Sequence, residues 1–337
     1  MKVFSNNGWG SLKEIIIGRA DFAYIPPPDP SMKNFMYANL TYREISKYVG
    51  SYSDVIINES NQDLEDLSDK FKELGVKVYR PKSTRHEAEI VTPYWKTTGW
   101  HNYCPRDIFL ILGSNIIEVP SVMRCRMFET WSYNDILHEA FEDGARWFSA
   151  PMQRYRDESF KFDDLSKPTL MNKEILFDAP NVVRLGTDLL YQVSNSGNEK
   201  GARWLQSMFP EYKIHVERDA YSGAHFDSTI VPLREGLVLF NGHRVSHEKY
   251  PKVFEKWDKI FFSDFYNTQS DSSGISSNAI GMNLLSVTDN LVIIDENQIE
   301  LIKILKKYNI ESIPMSMRHQ RTLGGGFHCV TLDLLRE

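Results

Sequence analysis

Apolar residues recur at helical spacing in five stretches of the chain, and each stretch runs into a short strand-like segment. The pairs are 64–74 then 76–79, 128–143 then 146–148, 201–209 then 213–216, 250–257 then 259–262, and 298–308 then 310–315. Gly75 and Gly144 stand just past two of the helical stretches, where a chain leaving a helix needs a left-handed residue. Between the units lie pairs of apolar runs joined by polar turns: 107–112 with 116–119, 182–185 with 189–193, 228–233 with 237–240, and 283–287 with 291–294. A fifth pair is split, with 330–335 at the end of the chain and 12–18 near its start. The pattern predicts five strand–strand–helix–strand units in an α/β fold, with the two ends of the chain closing a ring that leaves few sheet edges exposed. The ring makes residues 1–337 a single domain; an ordinary mixed α/β domain is the competing reading. Pro26-Pro27-Pro28 breaks structure near the start, and the polar stretch 267–277 reads as a loop.

Composition narrows the function. At 337 residues, with 42% hydrophobic and 25% charged positions, the chain has the profile of a globular protein able to bury roughly three quarters of its unfolded surface. Lys+Arg 39 against Asp+Glu 45 gives a net charge of −6, the wrong sign for a general binder of nucleic acid or anionic membranes. No apolar run approaches the ~18 residues of a membrane span, and the opening residues turn polar at once, unlike a signal peptide. Three widely spaced cysteines, Cys104, Cys125 and Cys329, are no disulfide framework and point to a reducing, cytoplasmic setting.

Polar residues gather where the strand pairs begin. Asp107 opens the first, Asp178 precedes the second, His225 and Asp227 precede the third, and Ser276, Ser277 and Asn278 precede the fourth. Cys329 opens the fifth, after Gly324-Gly325-Gly326-Phe327-His328. In a ring these starts converge at one end of the axis. One Cys, one His and several carboxylates then share a pocket. A thiol needs a base or cation nearby to become a thiolate, and a His needs a carboxylate to fix its tautomer. Two further carboxylates suit a planar cation with several N–H donors, above all a guanidinium. The three glycines allow a tight turn and close approach to a ligand.

Other candidates read as structural. Cys104 and Cys125 are expected to be buried small hydrophobes. His215 alternates with apolar neighbours. His86, His101, His138, His243 and His247 are assigned to surfaces or ordinary hydrogen bonds, and His319 and His328 to supporting contacts beside the site. No histidines have the spacing of a zinc site, and the glycine triplet lacks the Lys-Ser/Thr of a phosphate loop. Arg124-Cys125-Arg126 either holds an acidic acceptor group or, as expected here, makes structural ion pairs.

These residues resemble those of the amidinotransferases of the guanidine-modifying (pentein) superfamily. The resemblance runs from Trp9-Gly10-Ser11-Leu12-Lys13-Glu14 to the last residues. It is carried by Tyr103-Cys104-Pro105-Arg106-Asp107, Phe177-Asp178-Ala179, Gly186-Thr187-Asp188-Leu189-Leu190-Tyr191, His225-Phe226-Asp227-Ser228-Thr229, Gly281-Met282-Asn283 and Leu323-Gly324-Gly325-Gly326-Phe327-His328-Cys329. It is nearer to the bacterial inosamine-phosphate type than to the glycine type. The resemblance implies a five-bladed α/β propeller with pseudo-fivefold symmetry. It also implies an enzyme that moves the amidino group of L-arginine to an acceptor amine through an amidino-cysteine and releases ornithine, with no metal and no organic cofactor. It makes Cys329 the nucleophile, His225 the acid/base and Asp178 its orienting carboxylate. Asp107 and Asp227 become guanidinium clamps, Arg244 the partner of the donor carboxylate and Ser277 a further donor contact. A homodimer follows from the resemblance alone. The acceptor is an inosamine phosphate or another amine of specialised (antibiotic or toxin) metabolism, with lysine and glycine open. Gly242 stands where a Pro is common, Asn181 where the glycine type has an Asp, and Ala224 where it has a Met. The alternative reaction is that of an arginine deiminase, in which water takes the place of the amine and citrulline results.

Overall fold

Five three-stranded sheets repeat one connectivity: an antiparallel hairpin, a crossover, then a third strand parallel to the second. The computed structural model describes residues 1–36, 39–266 and 276–337, so of the loop read at 267–277 only Ser276 and Ser277 are described, and the Asn278 side chain also lies outside the described residues. One sheet joins the two ends of the chain. Leu12–Ile17 pairs antiparallel with Thr331–Arg336 and parallel with Lys77–Tyr79, so the split pair is formed. The other four follow in order: Phe109–Leu112, Asn115–Glu118 and Arg146–Ser149; Val182–Leu185, Asp188–Gln192 and Lys213–Glu217; Ile230–Arg234, Leu237–Asn241 and Asp258–Phe262; Leu285–Thr288, Leu291–Asp295 and Glu311–Met315. Gly186 and Gly236 turn two of the hairpins at φ +80 and +79, which a side chain would resist.

The crossovers are amphipathic helices in four of the five units. Asp54–Glu73 is capped by the Ser53 hydroxyl and buries Ser60, Asp63, Leu64, Leu67, Ser68 and Phe71, a stripe at three- and four-residue steps. Asn134–Glu142, Glu199–Met208 and Ile299–Lys307 serve the second, third and fifth units. The fourth departs from the helix expected at 250–257. Only the 3-10 turn Lys252–Phe254 forms there. Pro251 opens the segment and strand Asp258–Phe262 begins a few residues on, leaving too little chain to repay helix nucleation. Two small two-stranded sheets outside the repeat had no counterpart in the apolar pattern: Tyr24–Ile25 with Gly50–Ser51, and the hairpin Glu89–Val91 with Lys96–Thr98.

Strands such as Phe109–Leu112 and Leu237–Asn241 are buried along their whole length, which is why they read as continuous apolar runs and not as alternating ones. Apolar clusters join the sheets pairwise. Ile16 and Leu332 pack with Ile111 and Ile116; Leu110 and Ile117 with Val182 and Leu189; Leu190 with Ile230 and Val238; Leu233 and Leu239 with Leu284 and Val292. Leu285 and Ile293 of the last sheet pack with Ile15 and Ile17 of the sheet made by the chain ends. Among the described residues no helix is long and apolar enough to cross a membrane.

Candidate active site

Six of the seven candidate side chains sit in links that feed a hairpin; Arg244 lies instead in the turn that follows strand Leu237–Asn241. Asp107 lies in the helical turn Pro105–Ile108 ahead of strand Phe109–Leu112, not in the strand itself. Asp178 stands immediately before the 3-10 turn Ala179–Asn181 without capping it, so its carboxylate is left for other partners. His225 and Asp227 precede Ile230–Arg234. Cys329 was expected to head a strand; it stands in the turn two residues before Thr331–Arg336, because the glycine-rich turn begun by left-handed Gly324 runs on past it.

His225 is hydrogen-bonded at one end of its ring and faces a carboxylate across a longer gap at the other. Its ring Nε2 donates to Asp178 Oδ2 at 3.0 Å, and its Nδ1 lies 3.6 Å from Asp107 Oδ1. Asp178 is fully buried, and its other oxygen accepts from the Val122 backbone N–H at 3.1 Å. The His225 backbone is left-handed, φ +58, a conformation that costs a non-glycine residue energy. Its N–H donates to Ser196 Oγ at 2.9 Å, and Ser196 Oγ donates in turn to Asn181 Oδ1 at 2.7 Å. Asn181 thus holds the serine that holds the histidine. Burial pushes the imidazole pKa down, but the carboxylates of Asp107, Asp178 and Asp227 outweigh it and raise it to about 9.

Cys329 Sγ donates to Asp227 Oδ2 at 3.2 Å, and His328 Nδ1 lies 2.8 Å from the same oxygen. Asn283 Oδ1 accepts the backbone N–H groups of both His328 and Cys329 at 3.0 Å, fixing the turn. Burial, then the charges of Asp227 and Asp107, push the Cys329 thiol well above its ordinary value. Burial pushes the Asp227 carboxyl up, but bonds from His328 and Cys329 and the charge of His225 bring it below the usual carboxylate range. Gly325 lets the turn close: a side-chain carbon there would lie 2.5 Å from Cys104 Sγ and 2.8 Å from Cys329 Cβ. Cys104 and Cys125 are buried thiols, as expected, and none of the three cysteines is paired.

Asp107 has one oxygen committed and one not. Oδ2 accepts from Arg126 Nη1 at 2.6 Å, while Oδ1, though buried, has no hydrogen-bond partner among the described residues. An unmatched buried acceptor beside a thiol suits a cationic donor. Arg126 is fully buried and also grips Glu129 with two bonds of 2.7 and 2.9 Å. Arg124 bonds Asp157 and the Tyr155 carbonyl. Both arginines make structural pairs, as expected, but the reach of Arg126 into the site went unforeseen.

A second group lies next to Asp227. Arg244 donates from Nη1 to Thr229 Oγ1 (2.6 Å) and to Ser228 Oγ and O, and from Nη2 to Ser277 Oγ (2.9 Å). Its guanidinium stacks 3.8 Å from the Tyr221 ring centre. Arg244 and Ser277 line a cavity of about 460 Å³ together with His243, Ser263 and Phe265. All seven candidates therefore fall into two adjoining groups: Cys329, His225, Asp178, Asp107 and Asp227, then Arg244 and Ser277.

The residues that sequence reasoning missed, or assigned only loosely, are Arg126, Ser196, Tyr221 and Asn283; His328 was placed beside the site but not on Asp227. Asn283 at least lies in a motif already singled out. His215 bonds Asp188, and His101 the Leu323 carbonyl, as ordinary structural histidines. His86 departs from expectation: it is buried, and its Nε2 has no partner among the described residues. Among the described residues no three His, Cys, Asp or Glu side chains group closely enough to hold a metal ion.

No family model matches the chain. Curated proteins do. Inosamine-phosphate amidinotransferase 1 of Streptomyces glaucescens is 43% identical over 333 residues, covering 98% of this chain and 96% of that protein. The L-arginine:L-lysine amidinotransferase of Pseudomonas savastanoi pv. phaseolicola is 33% identical, covering 99% and 94%. The mitochondrial glycine amidinotransferase of Xenopus tropicalis is 31% identical, covering 99% and 83%. The solved inosamine-phosphate amidinotransferase of Streptomyces griseus superposes with a TM-score of 0.96 at 43% identity, over 99% of this chain and 97% of that one. A dimethylarginine dimethylaminohydrolase from Pseudomonas aeruginosa shares the fold alone, with a TM-score of 0.62 at 12% identity over 96% and 99%. Aligned along nearly its whole length with three kinds of amidinotransferase, the chain belongs to the amidinotransferases and is a transferase.

Proposed function

We propose that the protein transfers the amidino group of L-arginine to an acceptor amine through an amidino-Cys329 intermediate. The observation that carries this is the pairing of Cys329 with Asp227 beside a His225 clamped between Asp178 and Asp107. Asp227 and the free oxygen of Asp107 bind the guanidinium of arginine. Those same carboxylates keep the free thiol protonated; a guanidinium between them cancels their charge and favours the thiolate, and the thiol proton passes to solvent as arginine binds, since His225 already carries its own. The thiolate attacks the guanidinium carbon. The bond from that carbon to the ornithine nitrogen breaks, and His225 gives that nitrogen a proton. The acceptor amine then attacks the amidino carbon, His225 takes its proton, and the C–S bond breaks to return the thiolate. Arg244, oriented by Thr229, Ser277 and Tyr221, receives the arginine carboxylate in the adjoining cavity.

The acceptor in this reading is an inosamine phosphate or another specialised-metabolism amine. The Streptomyces relatives and the saxitoxin-pathway amidinotransferase of Microseira wollei, 32% identical with a TM-score of 0.91, favour this over lysine or glycine. The five sheets form the blades of a pseudo-fivefold propeller spanning residues 1–337 as one domain, a reading supported by the apolar clusters that run from sheet to sheet and from the last to the first. Unpaired cysteines fit a reducing compartment such as the cytoplasm, and the homodimer rests on resemblance. Product analysis tests the reaction: arginine with an acceptor amine yields ornithine and a new guanidine. Steady release of citrulline from arginine alone would assign the site to a deiminase instead.

A further inference from the structure

Behind the site, three guanidinium groups converge on one carboxylate. Asp333, fully buried, accepts from Arg106 Nη1, from Arg184 Nη2 at 2.9 and 2.8 Å, and from Arg336 Nε at 2.6 Å. The three arginine side chains are 7%, 7% and 2% exposed. Among the described residues none of them has another carboxylate within ion-pair distance. Burying cations in excess of their counter-charges is unfavourable, and the cluster shows it: burial and the neighbouring arginines hold both Arg184 and Arg336 below the ordinary arginine range.

A cavity of about 70 Å³ lies against this cluster. Arg106, Arg184 and Ser286 line it from the cluster side, and Asp227 and His328 from the side of the site. Arg106 spends Nε on the His328 and Thr331 carbonyls and Nη1 on Asp333, but its buried Nη2 has no partner among the described residues. His328 adds no charge at neutral pH, since burial and Arg106 bring its imidazole down to about 4. Counting Asp227 across the cavity as well as Asp333, three cations face two carboxylates, and one positive charge is left over. The volume admits a small ion with a water or two and is far below the ~300–1,000 Å³ of a metabolite pocket.

We propose that this cavity is a binding site for one small monovalent anion of halide size, held by Arg106 Nη2 and by the charge of Arg184, whose Nη1 already donates to Ser5 Oγ and the Ile111 carbonyl and whose Nη2 donates to Asp333. The site is distinct from the one that takes arginine, and it stands whether or not the reaction above does. It supplies the one negative charge still missing after Asp333 and Asp227 are counted.

The test uses the full chain at constant ionic strength, with sodium gluconate exchanged stepwise for sodium chloride or bromide. Binding to the folded state alone raises the unfolding midpoint by about 2 °C per tenfold rise in halide above the dissociation constant. Arg184→Gln removes the one excess positive charge and abolishes that rise. Bromide-soaked crystals of the unmodified protein show an anomalous peak beside Arg106, which decides the matter even if the variant fails to fold. A midpoint indifferent to the exchange, an equal rise in Arg184→Gln, or a bromide map with only water in the cavity would overturn the proposal.

Discussion

The Cys329 thiol donates its hydrogen bond to the Asp227 carboxylate, 3.2 Å away, so the sulfur rests against a negative charge and not a positive one. This is the reverse of the cationic surroundings that activate most nucleophilic cysteines. The resident imidazolium of His225 is already matched by Asp178 and Asp107, so the charge that frees the thiolate must come with the substrate. Asp227→Asn removes the opposing charge and a guanidinium ligand together. In the free variant Cys329 should alkylate faster with iodoacetamide at pH 7, while kcat/KM for arginine falls by about 10–150-fold, the value of one charge-assisted hydrogen bond. Slower alkylation in the variant would show that Asp227 activates the thiol instead.

The charge on His225 can be read from stability. Its pKa rises from an ordinary 6.5 to about 9 on folding, so the folded state favours the imidazolium. That contribution is complete below pH 6.5 and is lost as pH climbs through 9. The stability gap between the wild-type chain and His225→Gln should therefore be widest near pH 6 and close toward pH 10, as measured by urea unfolding. A gap that stays constant across this range would mean that the histidine is neutral throughout.

Arg244→Ala should raise KM for arginine about 10–150-fold with kcat within a few-fold of wild type, since the lost bond is made equally in ground and transition states. Arg244→Lys should recover only part of the loss, because an ammonium cannot serve Thr229, Ser277 and a ligand carboxylate as a planar fork does. Steady-state kinetics on both variants checks this. A collapse of kcat at unchanged KM would move Arg244 into the chemistry.

Gly325→Ala places a methyl group against Cys104 Sγ and Cys329 Cβ. Overpacking of this kind costs about 1–3 kcal/mol, and here it also displaces the nucleophile. The unfolding midpoint and kcat should both fall. Adding Cys104→Ala removes the 2.5 Å contact and restores part of the midpoint; the 2.8 Å contact with Cys329 persists, so kcat stays low. Full recovery of kcat in the double variant would contradict this account of the turn.

Local periodicity made four of the five crossovers legible, because each is a helix with one buried stripe, and burial on both faces made the strand pairs legible as apolar runs. The crossover at Lys252–Phe254 failed that test because its apolar spacing belongs to a single turn. Cys329, His225 and Asp178 could be read because each sits in a compact motif next to a strand. Partners that meet across the fold could not. Arg126 reaches Asp107 from another turn, Ser196 props His225 from the loop after strand Asp188–Gln192, and Asp333 gathers arginines from positions 106, 184 and 336. Those pairings are set by the packing of whole sheets, which no local pattern encodes.

The central claim is a covalent intermediate on Cys329, and intact-protein mass after mixing with arginine alone tests it most directly. The account predicts up to one ornithine released per site, then a stall, with the chain heavier by one amidino group. Cys329→Ala should release none and gain no mass while still binding arginine. An unmodified mass with no ornithine burst, in an enzyme that turns over once an acceptor amine is added, would contradict it.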